Sequence, residues 1–269
     1  MINSVMPKPI CSAENPQFKL LKKIASAGRE RRKLGQTLLD GVHLLTALAD
    51  SGGQAKLLVL REDAEAVPEI ARCLHRFVQT PRLVLSAALF DKIAPVEHAT
   101  GILAVLDIPQ AVPHASVCGV LLENIQDPGN LGSILRSAAA AGVDAVYLSQ
   151  GCAEAWSPKA LRAGMGAHFV LTIHEQQALA AVAAAYDSVF ATTLNASQSL
   201  YACDLTGKIA FMFGNEGAGL SPALLAQSTQ PVTIPMPGQV ESLNVAAAVA
   251  ICLFERVRQL QIKVIPAHL

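Results

Sequence analysis

The sequence carries little charge. Asp, Glu, Lys and Arg make up only 16% of its 269 residues against 52% hydrophobic residues, and the two signs cancel to a net charge of zero. Disordered chains are rich in charge and poor in apolar residues, so this balance excludes them and predicts a folded chain with room for two compact units. Long apolar runs are also missing. The stretch from Leu243 to Phe254 is shorter than the roughly 20 residues a membrane-spanning helix needs, and Asn244 interrupts it, so no span is expected. The first residues hold no apolar segment followed by a small-residue cleavage site, so no secretion signal is read and the cytoplasm is the expected location.

Paired cysteines are absent as well. Cys11, Cys73, Cys118, Cys152, Cys203 and Cys252 stand far apart, with no CxxC pair and no histidine at metal-ligand spacing, so they read as reduced, mostly buried thiols and no metal site is expected. There is no internal repeat and no low-complexity tract. Zero net charge argues against a generic nucleic-acid binder, yet the charge is unevenly spread: residues 1–35 hold +6 and the remainder −6. The cluster from Lys19 to Lys33, with Arg29, Arg31, Arg32 and Lys33 at its end, is the candidate for contact with an RNA backbone; a plain solvated basic helix is the alternative.

Patterning divides the chain into a first region of residues 1–107, a proline-containing linker at 108–115, and a second region of 116–269. In the first, a basic helix near 17–33, a periodic helix near 37–50 and apolar runs at 55–60 and 82–85 predict a small α/β unit. In the second, apolar runs at 118–122, 145–148, 189–193 and 209–213 alternate with helical patterns near 130–141, 158–165, 175–186 and 243–260. That alternation predicts a parallel sheet covered by helices on both faces.

Three segments of the second region carry chemistry. In Leu122–Gly142 an apolar run ends in a Pro-Gly turn, Asn130 is a candidate helix N-cap, and Leu131, Ile134, Leu135 and Ala138 form an i, i+3, i+4, i+7 stripe that Gly142 closes. Arg136 falls beside the stripe, where periodicity alone reads a solvated residue. In Ile209–Ser221 an apolar run enters a loop containing Gly214, Gly217 and Gly219, which admits close backbone approach to a ligand but also fits an ordinary turn. Neither a GxGxxG before a helix nor a GxxxxGK[ST] occurs, so no dinucleotide or ATP site is supported. In Ile234–Glu255 two prolines and Gly238 force an irregular loop, Ser242 or Asn244 caps the next helix, and Val245, Val249, Cys252 and Leu253 share one face.

Together these segments resemble, in order, the three motifs of the SpoU (TrmH) branch of the SPOUT RNA 2′-O-ribose methyltransferases: N-x5-N-x-G-x3-R at Asn124–Arg136, the F-G-N-E-G-x-G-L loop at Phe213–Leu220, and I-P-M-x-G-x3-S-L-N-V at Ile234–Val245. The likeness spans 118–258. More weakly, Arg31–Leu45 and Leu85–Val105 resemble that family's N-terminal substrate-binding domain. Two positions depart from it: Asp40 stands where a Glu is usual, and in Lys159-Ala-Leu-Arg162-Ala-Gly164-Met-Gly166 the glycine at 164 replaces a Ser.

The resemblance implies a C-terminal α/β unit tied in a deep trefoil knot, a homodimer built on the C-terminal helix, and S-adenosylmethionine as cofactor. Carried over, Thr193, Gly214, Asn215, Glu216, Gly217, Ile234, Met236, Ser242, Leu243 and Asn244 hold the cofactor. The catalytic set is Arg136, Asn130, Glu216, Ser242 and Asn244, and Lys159 and Arg162 join the RNA contacts. A ribose 2′-hydroxyl must lose its proton as it attacks, and a guanidinium is a poor base but a good partner for an alkoxide. Arg136 is therefore expected to stabilise the alkoxide while Glu216 or an RNA phosphate takes the proton. Ribosomal RNA is expected ahead of tRNA; a non-catalytic RNA-binding or ribosome-assembly protein of the same fold is the alternative.

Overall fold

A computed structural model describes residues 8–95, 100–112 and 116–264, with side chains through 261. The chain divides into two compact units, Met1–Gln110 with Trp156–Phe169, and Ala111–Ala155 with Val170–Leu269. The segment Trp156–Phe169 therefore belongs with the first unit, which contiguous boundaries read from the sequence do not anticipate; part of the expected linker, 113–115, lies outside the described residues.

The first unit runs α1 (Pro16–Ser26), α2 (Gly28–Leu34), β1 (Gln36–Asp40), α3 (Gly41–Asp50), β2 (Leu57–Arg61), α4 (Pro68–Leu74), β3 (Arg82–Leu85), α5 (Ala87–Phe90) and β4 (Ile102–Asp107). The strands form a sheet in the order β1-β4-β2-β3, antiparallel except for β2 with β3. The basic helix expected near 17–33 is two helices. Asn15 caps the first, accepting from the Gln17 and Phe18 N–H groups, and Ala27 breaks the run with extended backbone. The break is held from beyond it: Arg31 donates from Nη1 to the carbonyls of Ile24 and Ala25 at 2.8 and 3.2 Å, satisfying groups left free where α1 ends.

The helix expected near 37–50 starts only at Gly41. Residues 37–39 are buried on both sides of a strand, and two glycines in left-handed backbone, Gly35 (φ +62°) and Gly41 (φ +86°), separate that strand from its neighbouring helices. Three consecutive buried residues show neither a helical nor a strand period, and the glycines at 35 and 41 are the punctuation that separates strand from helix.

The second unit runs β5 (Cys118–Leu122), α6 (Pro128–Ala140), β6 (Ala145–Leu148), β7 (Thr172–His174), α8 (Leu179–Ala183), β8 (Ser188–Thr192), β9 (Ile209–Phe213), α9 (Pro222–Leu225), β10 (Gln230–Val232) and α10 (Val245–Val264); α7 (Pro158–Gly164) interrupts this series and packs with the first unit. All pairings in the six-stranded sheet are parallel, in the order β10-β8-β9-β5-β6-β7. β5 and β9, at its centre, are buried at every residue, which is why both appear in the sequence as unbroken apolar runs rather than alternating ones. The order reverses between these two strands, and in open parallel sheets ligands bind outside the carboxyl ends at such a point.

Helix α6 buries Leu131, Ile134, Leu135 and Ala138 completely, each large aliphatic side chain contributing roughly 1.5–3 kcal/mol relative to exposure. It begins earlier than expected, because Pro128 takes the first helical position and Asp127, not Asn130, is the cap: Asp127 Oδ1 accepts from the Asn130 N–H at 2.7 Å. That frees the Asn130 side chain. Helix α10 packs on α6, and Val245, Val249, Cys252 and Leu253, the residues expected to share one face, are all buried. The helical pattern near 175–186 shrinks to α8, since Gln176 adopts left-handed backbone (φ +57°). No helix among the described residues is long and apolar enough to cross a membrane.

Candidate active site

Strand β9 delivers the chain into the glycine-rich loop at Gly214. A Cβ there would lie 2.1 Å from the Gly219 carbonyl carbon, so only glycine lets the two ends of the loop touch. The Gly219 N–H closes the loop on the Asn215 carbonyl at 2.8 Å. Asn215 braces it from within, its Oδ1 accepting from Gly217 N–H at 2.9 Å and Ala218 N–H at 3.3 Å while its Nδ2 donates to the Asn124 carbonyl at 3.0 Å.

Beside this loop lies a cavity of about 360 Å³, within the roughly 300–1,000 Å³ usual for small-molecule sites. Its walls are the carboxyl end of β8 and the residues just beyond it (Thr192–Asn195), Phe213 and the loop Gly214–Leu220, then Thr233, Ile234, Met236, Ser242, Leu243, Val245 and Ala248. Of the ten residues expected at a cofactor, nine line it; Asn244 is the exception. Those not anticipated include Leu194, Asn195, Leu220, Leu225, Thr233 and Ala248. Leu194 and Asn195 come directly after a parallel strand, where the position itself is the signal. Ala248 and Leu225 are cavity residues only because of how their helices pack, which no local pattern reveals.

Asn244 belongs instead to a polar knot at the cavity's edge. Glu216 Oε1 accepts from Asn130 Nδ2 at 2.9 Å, from Asn244 Nδ2 at 2.8 Å and from the Val245 N–H at 3.3 Å, and Asn244 Nδ2 also donates to Asn130 Oδ1 at 3.0 Å. Asn244 Oδ1 accepts from the Ala246 N–H at 2.9 Å, so Asn244 rather than Ser242 caps α10. One carboxylate thus joins the start of α6, 86 residues before it, and the start of α10, 28 residues after it, to the glycine loop. The group is solvent-accessible, so each bond contributes at the lower end of the roughly 0.5–1.5 kcal/mol range.

Arg136 stands exposed on α6 and does not line the cavity, and its side chain makes no hydrogen bond or ion pair to another described residue. Its guanidinium is available to an incoming anion. The expected RNA-contact residues divide. Arg29, Arg32 and Lys33 are exposed on α2, and Lys159 and Arg162 are exposed on α7; both helices belong to the first unit. Arg31 is corrected: it is only 6% exposed and committed to α1's terminal carbonyls, so it braces the helix pair and is withdrawn from the contact set.

The two positions that depart from the family pattern, Asp40 and Gly164, lie on elements that pack together, β1 and α7. Asp40 ends β1, α7 packs on β1, and the Arg162 charge acts on the Asp40 carboxyl. Burial nevertheless holds that carboxyl above its ordinary range, with Arg162 opposing, and its Oδ1 has no hydrogen-bond partner. After α7 the chain turns through Gly166 (φ +94°), where a Cβ would lie 2.6 Å from the Ala47 Cβ, so the close approach of this segment to α3 requires glycine.

A parallel α/β sheet with a glycine loop and a small-molecule cavity at the carboxyl ends of β8, β9 and β10 defines a ligand-binding protein of the open α/β class. Residues 118–254 match the model of the SpoU rRNA methylase family. An uncharacterized tRNA/rRNA methyltransferase of Synechocystis is 36% identical over 93% of this chain and 93% of its own length. The 23S rRNA (guanosine(2553)-2′-O)-methyltransferase RlmP of Bacillus subtilis is 32% identical, over 92% of this chain and 98% of its own. Among solved structures, the SpoU methyltransferase AviRb from Streptomyces viridochromogenes, in complex with the cofactor AdoMet, superposes with a TM-score of 0.84 at 27% identity, over 92% of this chain and 99% of that one. The chain belongs to the SpoU rRNA methylase family and is a methyltransferase.

Proposed function

We propose that this methyltransferase uses S-adenosylmethionine to methylate a ribose 2′-hydroxyl in structured RNA, ribosomal RNA ahead of tRNA. The observation that carries the reading is the cavity walled by the glycine loop and edged by the Glu216–Asn130–Asn244 knot. The relative in Bacillus, named for 2′-O methylation of 23S rRNA, and the AdoMet-bound Streptomyces neighbour support it.

The residues present fit such a cofactor. Gly214 and its neighbours bring bare backbone to the cavity, while Leu194, Leu220 and Ile234 give apolar surface for a purine. When bound, the cofactor supplies a methyl group on a sulfonium. Thr193, Asn215, Glu216, Gly217, Ile234, Met236, Ser242 and Leu243 hold it, and Asn244 fixes Glu216 at the rim. Arg136 places its charge against the developing alkoxide, the role for which an always-protonated guanidinium is suited. Ser242 and Asn130 position the ribose, and Glu216 or an RNA phosphate accepts the proton.

The first unit is read as the RNA-binding one, offering Arg29, Arg32, Lys33, Lys159 and Arg162 as exposed cations. A trefoil knot formed by the chain after Ile234, a homodimer through α10, on which Phe254 stands exposed, and a cytoplasmic location complete the proposal. The test is transfer of labelled methyl from S-adenosylmethionine to RNA from a strain lacking the protein, comparing wild type with Arg136→Ala. One alkali-resistant site, labelled by wild type and lost in the variant, establishes the reading. Cofactor binding with no transfer to free RNA or to ribosomal particles overturns it in favour of a non-catalytic RNA-binding protein.

A further inference from the structure

The glycine loop is anchored by a residue that touches neither the cavity nor the Glu216 knot. β5 ends at Leu122, and the next residue, Glu123, extends the ladder by donating its N–H to the Phe213 carbonyl at 2.9 Å, where the glycine loop begins. Its carboxylate then reaches the loop's far end. Glu123 Oε2 accepts from the Ser221 N–H at 2.7 Å and Oε1 accepts from the Ser221 hydroxyl at 2.7 Å. Ser221 Oγ in turn accepts from the Leu224 N–H at 3.3 Å, starting α9, whose Leu225 is a cavity wall.

One residue therefore holds both ends of the loop 214–220. The contact at Gly214, where the Gly219 backbone leaves no room for a Cβ, exists only while the far end is drawn in this close. Both carboxylate oxygens are used, both bonds are short and charge-assisted, and Glu123 is half-buried, so water competes weakly. From these contacts we infer that Glu123 is a positioning residue for the cofactor cavity: by clamping Ser221 it sets the spacing of the loop walls, and hence affinity for the cofactor, without contacting cofactor or RNA. This rests on the cofactor reading above.

In Glu123→Gln the amide can keep both contacts, accepting from the Ser221 N–H and donating to Ser221 Oγ, but the charge is lost from both bonds at nearly constant shape. A charge-assisted bond is roughly twice as strong as a neutral one, so the pair weakens by about the worth of one bond. The experiment measures binding of S-adenosylhomocysteine by calorimetry, and KM for S-adenosylmethionine, KM for RNA and kcat, for wild type, Glu123→Gln, Ser221→Ala and the double variant. The expected result is a roughly tenfold rise in the cofactor Kd and KM in each single variant, consistent with loss of one bond to a charged group. RNA KM and kcat stay within about twofold, and the double variant is no worse than the poorer single one, as two partners of one interaction behave. Unchanged cofactor affinity in the folded single variants overturns the inference. So does additive loss in the double variant, or a fall in kcat at unchanged KM. Should Glu123→Gln fail to fold, Ser221→Ala alone carries the same comparison. Wild-type protein that binds no cofactor overturns the functional reading itself, a different result from normal variants beside an active wild type.

Discussion

Replacing Asn244 with Ala removes the helix cap on α10 and two bonds of the polar knot together, and the structure separates these effects. The cap, Oδ1 to the Ala246 N–H at 2.9 Å, acts on the fold, and its loss costs about 1 kcal/mol, or about 2–4 °C in melting midpoint for a chain of this size. The Nδ2 bonds to Glu216 and Asn130, at 2.8 and 3.0 Å, act on the site. At solvent-accessible positions they contribute together about 1–2 kcal/mol, so kcat/KM falls about 5- to 30-fold. Asn244→Asp separates the two. Aspartate caps a helix as well as asparagine and is favoured at a helix N-terminus, so the midpoint returns to near the wild-type value. Its second oxygen, however, replaces the donor that faces Glu216, setting two carboxylates against each other, and activity stays at or below that of the alanine variant. Thermal melts and steady-state methyl transfer on the three proteins at neutral pH check this. An aspartate variant with wild-type kcat/KM refutes the idea that the Nδ2 bonds organise the site; an alanine variant that melts normally refutes the cap.

Arg31→Ala loses bonds from a buried cation to two carbonyls, so it destabilises by about 1–3 kcal/mol and leaves the salt dependence of RNA binding unchanged; Arg32→Ala with Lys33→Ala does the reverse, lowering the salt slope by about one per lost phosphate contact at constant stability. Melts and binding curves across a salt series decide between them. Burial raises the Asp40 carboxyl, so the folded chain holds that proton more tightly than the unfolded one, favouring the fold below the ordinary carboxylate range and opposing it as pH rises through the raised value. Asp40→Asn therefore melts higher than wild type at neutral pH, and the gain disappears toward about pH 3, below the ordinary aspartate value; a gain that persists there contradicts the assignment. Burial pushes the Cys118 thiol up to about 11 and that of Cys252 up to about 12, and Cys11 is the exposed cysteine. In native protein a thiol reagent titrates Cys11 promptly and Cys11→Ser removes that signal; rapid reaction of Cys118 or Cys252 counts against the packing.

Runs that are apolar throughout, such as 118–122 and 209–213, were legible as strands to the residue, because a strand buried on both faces loses its alternation and five residues between turn signals are too few for a buried helix. Nine of the cavity's lining residues were legible too, because Gly214, Ile234, Ser242 and their neighbours lie in chemically distinctive loops and resemble family motifs as contiguous strings. Sequence could not give the contacts of Asn130, Arg31 or Glu123. Asn130 has the composition of a cap, but Asp127 takes that place and leaves its amide for Glu216, 86 residues away. Arg31 reads like its exposed neighbours Arg32 and Lys33, yet the break at Ala27 turns it back onto α1. Glu123 sits in an unremarkable strand end until parallel pairing with β9 sets it beside Phe213 and within reach of Ser221, 98 residues on. Local pattern determines which segments are strands, helices and glycine loops, because burial and backbone freedom are set within a few residues. Which carboxylate meets which amide depends on strand order and helix packing, and only the folded chain decides that.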